Sequence, residues 1–210
     1  MGLAERVVYH VKRRLIPPTR PITALAPLDM TRVIDRGCCP YDGYQRGAGL
    51  AHGDLAEQIW NDPLFRKALA NARTHAVRTM CTEARLMNLF LLAKFFLKDL
   101  PSQNIIEYGT FRGGSALFMA TLLKELYPNS KVYALDTFEG MPEGNDGLDL
   151  PPPDDFADTN LNTIRFTAEQ MGLDNVEFIK GLIQDTAPNV YAKAGGFGLA
   201  HIDVVLYSSV

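Results

Sequence analysis

The stretch IIEYGTFRGGSALFMATLL, residues 105–123, decides the fold. A short apolar run ends at Glu107. Gly109, Gly113 and Gly114 follow within six residues, and an apolar pattern then resumes at helical spacing. Glycine weakens strands and helices alike. Three of them between a strand and a helix mark a turn that something approaches closely.

The same texture repeats downstream. The helix of GGSALFMATLLKELYP ends near Pro128, and KVYALD (131–136) reads as a second strand. DTNLNTIRFTAEQMG (158–172) reads as a helix with Asp158 or Thr159 as its cap and Gly172 past its end. NVEFIKG (175–181) is a third strand, VYAKAG (190–195) a short helical region, and LAHIDVVLY (199–207) a fourth strand. Strands alternating with helices predict a Rossmann-like α/β fold, with a parallel sheet and helices on both faces.

Upstream the texture differs. Residues 5–16 read as a helix stopped by Pro17 and Pro18, followed by a proline-rich extended stretch. Residues 29–53 carry five glycines and read as a long loop of the kind that forms lids. Asp54 and Asp62 are placed to cap two helices, with Pro63 at the first position of the second. Residues 74–100 carry helical spacing at Leu86, Leu89, Phe90 and Ala93, and Cys81 falls in this helical stretch. The division is an N-terminal helical and loop extension over 1–73, suited to a lid or to contact between two copies, and a ligand-binding domain over 74–210.

Composition bounds the function. The chain has 210 residues and a net charge of −3, without the basic footprint of a nucleic-acid binder. The apolar run 86–97 is too short to span a membrane and contains Lys94. Three cysteines make no disulfide framework, and no C-x-x-C pair points to a structural zinc. They read as reduced thiols of a cytoplasmic protein.

In a sheet of this kind a ligand binds outside the carboxyl ends of the strands. The glycines lie there, before a helix whose first amides suit a carboxylate, phosphate or ribose. Asp136 closes the next strand, where an acid suits ribose hydroxyls. Taken alone, the glycines also fit a tight turn without a ligand, and Asp136 a cap for the following turn. Together they favour nucleoside binding. The spacing E-x-G-x-x-x-G-G departs from the dinucleotide fingerprint G-x-G-x-x-G and counts against a nicotinamide-dependent oxidoreductase.

EYGTFRGGSA, VYALDTFEGMPE, DDFADT, VEFIKGLIQDTAP and HIDVVLYSS, in that order, resemble the macrocin O-methyltransferase (TylF-type) family. The resemblance covers residues 74–210. It implies a class I methyltransferase fold, S-adenosylmethionine as cofactor, and a small polar acceptor such as a sugar or glycosylated natural product. It implies that Glu107, Gly109, Thr110, Gly113 and Ser115 surround the methionine part and ribose, and that Asp136 binds the ribose hydroxyls. It places Thr137 and Phe138 along the adenosine, Gln184 and Asp185 near the adenine amine, and Thr79 and Met80 over the cofactor. Asp203 is implied as the catalytic residue and as a ligand of a divalent metal, for which magnesium suits an all-oxygen site.

The family pattern Asp-x-Asp-x-Tyr reads here Asp203-Val204-Val205-Leu206-Tyr207, so Val205 replaces the second acid. Strand alternation puts His201, Asp203 and Val205 on one face. Val205 leaves open a second reading, a non-catalytic cofactor-binding module. A class I sheet has more strands than the four read here, and the expectation is that C-terminal strands are missing from this sequence.

Overall fold

A computed structural model of the chain describes residues 54–141 and 156–204. The helix expected over 5–16, the lid expected over 29–53, most of loop 137–157 and Val205 lie outside the described residues. Four parallel strands form one sheet in the order β3-β2-β1-β4. They are β1 (Ile105–Tyr108), β2 (Val132–Asp136), β3 (Val176–Lys180) and β4 (Leu199–Ile202). β1 is central, pairing with β2 on one side and β4 on the other. The chain winds outward from β1 to β3 and then crosses back, so the strand order reverses between β1 and β4.

Alternation along β1 and β2 supplies two cores. Ile105, Val132 and Ala134 face the larger one, and Ile106, Tyr133 and Leu135 the smaller. The smaller core is closed by Ala187 and Val190 of α6 (Ile183–Ala194). The larger is filled by α1 (Asp54–Asn61), α2 (Pro63–Ala72), α3 (Glu83–Leu91), α4 (Gly114–Leu126) and α5 (Leu161–Gln170). Phe65 stacks edge-on against Phe90 and Phe118, with centroids 5.6 and 5.7 Å apart, and all three rings are fully buried. Residues 54–73, assigned to the extension from the sequence, therefore pack in the same core as α4. Among the described residues no helix is long and apolar enough to cross a membrane.

Several elements differ from the sequence reading. The helix before β1 starts at Glu83, capped by the Thr82 hydroxyl, so Cys81 precedes it in a turn. That helix then widens into a π-helical turn at Leu92–Phe96 and tightens into a 3₁₀ turn at Leu97–Asp99. The cap of α5 is Asn160, whose side chain accepts from the Thr163 amide at 3.0 Å, rather than Asp158 or Thr159. Those two instead tie the glycine turn to α5. Asp158 pairs with Arg112, and the Thr159 hydroxyl donates to the Phe111 carbonyl at 2.8 Å. α6 is much longer than the segment 190–195 and runs through Pro188. β4 ends at Ile202, and the Asp203 amide continues the ladder with a 2.9 Å bond to the Tyr108 carbonyl.

Candidate active site

The reversal between β1 and β4 opens a crevice at the carboxyl ends of the strands, where open α/β sheets bind ligands. A cavity of about 220 Å³ lies there. Its wall comes from the turn after β1, the ends of β2 and β4, the turn after β3 with the start of α6, and the segment 78–80. Of the residues singled out from the sequence, Thr79, Met80, Gly109, Thr110, Ser115, Asp136, Thr137, Gln184 and Asp203 line it. Four others sit off the wall. Glu107 is fully buried beneath it, Gly113 is covered by Ile164, Phe138 packs edge-on against Phe178, and Asp185 is exposed in the first turn of α6. The structure adds Arg78, Arg85, Phe111, Met141, Phe156, Leu182 and Ile183 to the wall.

The glycine turn owes its composition to the chain itself. Gly109 has φ +86°, and a Cβ there would lie 2.3 Å from the Asp203 carbonyl oxygen. A Cβ at Gly114 would lie 2.3 Å from the Thr79 nitrogen, and one at Gly113 2.5 Å from Ile164. What approaches these backbones is the end of β4, segment 78–79 and α5. Segment 78–79 is also held by a bridge between Arg78 and Gly113.

Asp136 closes this turn. Its Oδ2 accepts from the Thr110 and Phe111 amides, both at 2.8 Å, and its Oδ1 from the Phe138 amide at 2.7 Å. One carboxylate thus fixes both the turn after β1 and the turn after β2. Phe111 (φ 49°) and Phe156 (φ 72°) sit at the wall in left-handed conformations that bulky side chains rarely adopt, their rings edge-on at 5.2 Å. Such strain costs of order 1–3 kcal/mol and concentrates at ligand sites.

A buried polar chain lies under the wall. The register pairs Glu107 with His201, and His201 Nδ1 meets Glu107 Oε1 at 3.1 Å. Glu107 Oε2 accepts from the Thr110 hydroxyl at 2.9 Å. Burial pushes the imidazolium of His201 toward deprotonation, but hydrogen bonds and charge from Cys81 and Glu107 outweigh it and raise the pKa to about 10. Asp203 caps the chain at the cavity. Its Oδ1 pairs with Arg85 at 3.1 Å, and Cys81 Sγ donates to its Oδ2 at 3.6 Å. Sequence reasoning missed Cys81 and Arg85 because they lie 122 and 118 positions from Asp203 and carry no local motif.

α6 presents Gln184 to the cavity in a specific state. Its i+4 residue is Pro188, which has no N–H to give, so the α-helical donor to the Gln184 carbonyl is missing.

A model of the macrocin-O-methyltransferase (TylF) family matches residues 54–210. The chain is 33% identical over 141 residues to the 8-demethyl-8-(2,3-dimethoxy-alpha-L-rhamnosyl)-tetracenomycin-C 4'-O-methyltransferase of Streptomyces olivaceus, covering 62% of this chain and 53% of that protein. It is 29% identical over 129 residues to the mycinamicin III 3''-O-methyltransferase of Micromonospora griseorubida, covering 52% and 48%. The chain thus spans about half the length of the curated relatives it matches. Among solved structures, the O-methyltransferase NovP superposes with a TM-score of 0.55 at 19% identity, over 68% of this chain and 63% of that one. The calicheamicin methyltransferase CalS11 gives 0.50 at 20%, over 74% and 66%. These two likenesses establish the class I methyltransferase fold.

Proposed function

The chain belongs to the macrocin O-methyltransferase (TylF) family, and from that premise we propose that it transfers a methyl group from S-adenosylmethionine to a hydroxyl of a small glycosylated acceptor. The observation that supports this most is the cavity at the β1/β4 reversal, bounded by the glycine turn, by Asp136 one strand over and by the start of α6. Its mixed wall suits a sulfonium nucleoside. Leu182, Ile183 and Met80 offer apolar surface, while Ser115, Thr79 and Asp136 offer hydroxyl and carboxylate oxygens. Gln184, exposed on the wall at the start of α6, carries a side-chain amide whose oxygen can accept from an adenine amine.

S-adenosylmethionine, when bound, supplies an already activated methyl group, so the protein has to align an acceptor oxygen and remove its proton. Met80, 62% exposed at the rim, and Phe111 on the wall are placed to cover a bound nucleoside. With the cofactor bound, the Asp203 carboxylate at the wall would hold the acceptor hydroxyl and take its proton, while the methyl carbon would exchange its bond to sulfur for one to that oxygen and S-adenosylhomocysteine would leave. His201 is unsuited to that task, because it holds its own proton near neutral pH and is committed to Glu107.

Magnesium does not fit the described residues around Asp203. The neighbouring donors are the Cys81 thiol and the His201 imidazole, and Arg85 already occupies one carboxylate oxygen. Magnesium requires near-octahedral oxygen ligands. We therefore assign proton acceptance to the Asp203 carboxylate alone.

Titration calorimetry of the purified chain with S-adenosylhomocysteine and, separately, with NAD tests the reading. Binding of the first and not the second is expected. Asp203→Ala should leave that binding within a few fold and lower methyl transfer to a glycosylated acceptor by roughly 10²–10⁴-fold, the usual contribution of a general base. Binding of NAD in preference would overturn the reading.

A further inference from the structure

We propose that Arg78, with the Ser115 hydroxyl beside it, grips the carboxylate at the amino-acid end of the cofactor and makes the cavity select nucleosides that carry one. This rests on the nucleoside-binding reading of the cavity and adds the residues that take one end of the ligand.

Arg78 and Ser115 reach the wall from two directions. Arg78 lies in the segment bridged to Gly113, and Ser115 stands in the first turn of α4, two residues beyond that glycine. Among the described residues neither side chain has a hydrogen-bond or ion-pair partner. Ser115 is only 5% exposed. Buried hydroxyls nearly always have a partner, and the one open to this hydroxyl comes from the cavity.

The acids of the wall are already engaged. Asp136 accepts from three amides, and Asp203 is held by Arg85 and Cys81. Arg78 is therefore a cation on the wall that no carboxylate of the described residues neutralises. The start of α4 has the same sign. Its cap is Gly113, with no side chain to accept from the first amides, and its first turn holds no acid. The complement is an anion, and the planar guanidinium fork matches the two oxygens of a carboxylate.

Strand order indicates whose carboxylate it is. Gln184 follows β3, Asp136 ends β2, and Arg78 and Ser115 flank the turn after β1, so these groups succeed one another across the sheet order β3-β2-β1. S-adenosylmethionine has the same succession: adenine, ribose, then the sulfonium with its amino-acid tail.

Calorimetry on the full chain tests this with S-adenosylhomocysteine and its decarboxylated counterpart, which lacks only the carboxylate. The weaker ligand is measured by competition. The wild type should prefer S-adenosylhomocysteine roughly 10–100-fold, the range for a charged hydrogen-bonded contact. Arg78→Met should erase most of that preference by weakening S-adenosylhomocysteine alone. Arg78→Lys should recover part of it, because it keeps the charge without the fork. Ser115→Ala should reduce the preference less than Arg78→Met. Arg78 is exposed, so its variants keep the core intact. No preference in the wild type, or an undiminished one in Arg78→Met, overturns the inference and leaves the cavity assignment standing. Normal nucleoside binding by Arg78→Met with a raised KM for a carboxylated acceptor also overturns it, placing the arginine on the acceptor. Failure of the wild type to bind either nucleoside would overturn the cavity reading itself.

Discussion

Gly109 and Gly172 show how little a glycine says by itself. Both have positive φ, +86° and +67°. A Cβ at Gly172 meets nothing within 4 Å, and one at Gly109 strikes the Asp203 carbonyl at 2.3 Å. Gly172→Ala should therefore cost only the left-handed penalty, roughly 1–2 kcal/mol. Gly109→Ala should cost clearly more in urea unfolding, because β1 and β4 must also part. Equal losses in the two variants would contradict this account of the turn. The sequence marks the turn as a close approach, but it carries no sign that β4, segment 78–79 and α5 are what approach. Asp136 is similar. Its position at a strand end is legible, while its bonds to three amides in two turns depend on the folded register. Asp136→Ala strands those amides, and should lower stability by about 1–3 kcal/mol and weaken S-adenosylhomocysteine binding in calorimetry.

At the scale of elements, helical spacing was legible and its interruptions were not. The pattern from Leu86 to Ala93 predicts a helix, and α3 forms there. Beyond Leu91 the widened turn places Lys94 against Asp62, at 2.7 Å, with its ammonium 5.1 Å from the Phe90 ring centroid. Asp62 is fully buried and also caps α2. This pair explains why a lysine stands in so apolar a run, and no local pattern announces it because the partner lies 32 positions away. Breaking a buried pair from one side typically costs about 3–5 kcal/mol. Lys94→Met should fall near the lower end, because two amides still bond Asp62. Lys94→Met combined with Asp62→Asn should lose less than the sum of the single changes in urea unfolding. Additive losses would show that the pair is not coupled. The helix read over 190–195 falls short at its start, because α6 already begins at Ile183; it accepts Pro188 inside and gives up a single hydrogen bond, at the Gln184 carbonyl.

For the whole molecule, the alternation of strands and helices was enough to give a parallel sheet, because right-handed crossovers leave few other arrangements. It was also enough to locate a crevice at the carboxyl ends of β1 and β2. The remainder of the wall was out of reach. Segment 78–82 arrives from before β1, and strand alternation could not show that Cys81 and Arg85 would meet Asp203. The family resemblance supplied Thr79 and Met80, which pure spacing would have left in a featureless turn. The central claim is that the reversal between β1 and β4 builds the nucleoside pocket. A crystal structure of the chain with S-adenosylhomocysteine tests it most directly. The account predicts the nucleoside between the Gly109 turn, Asp136 and Gln184, with its sulfur toward Asp203. Density for the ligand elsewhere, with this cavity holding only solvent, would contradict it.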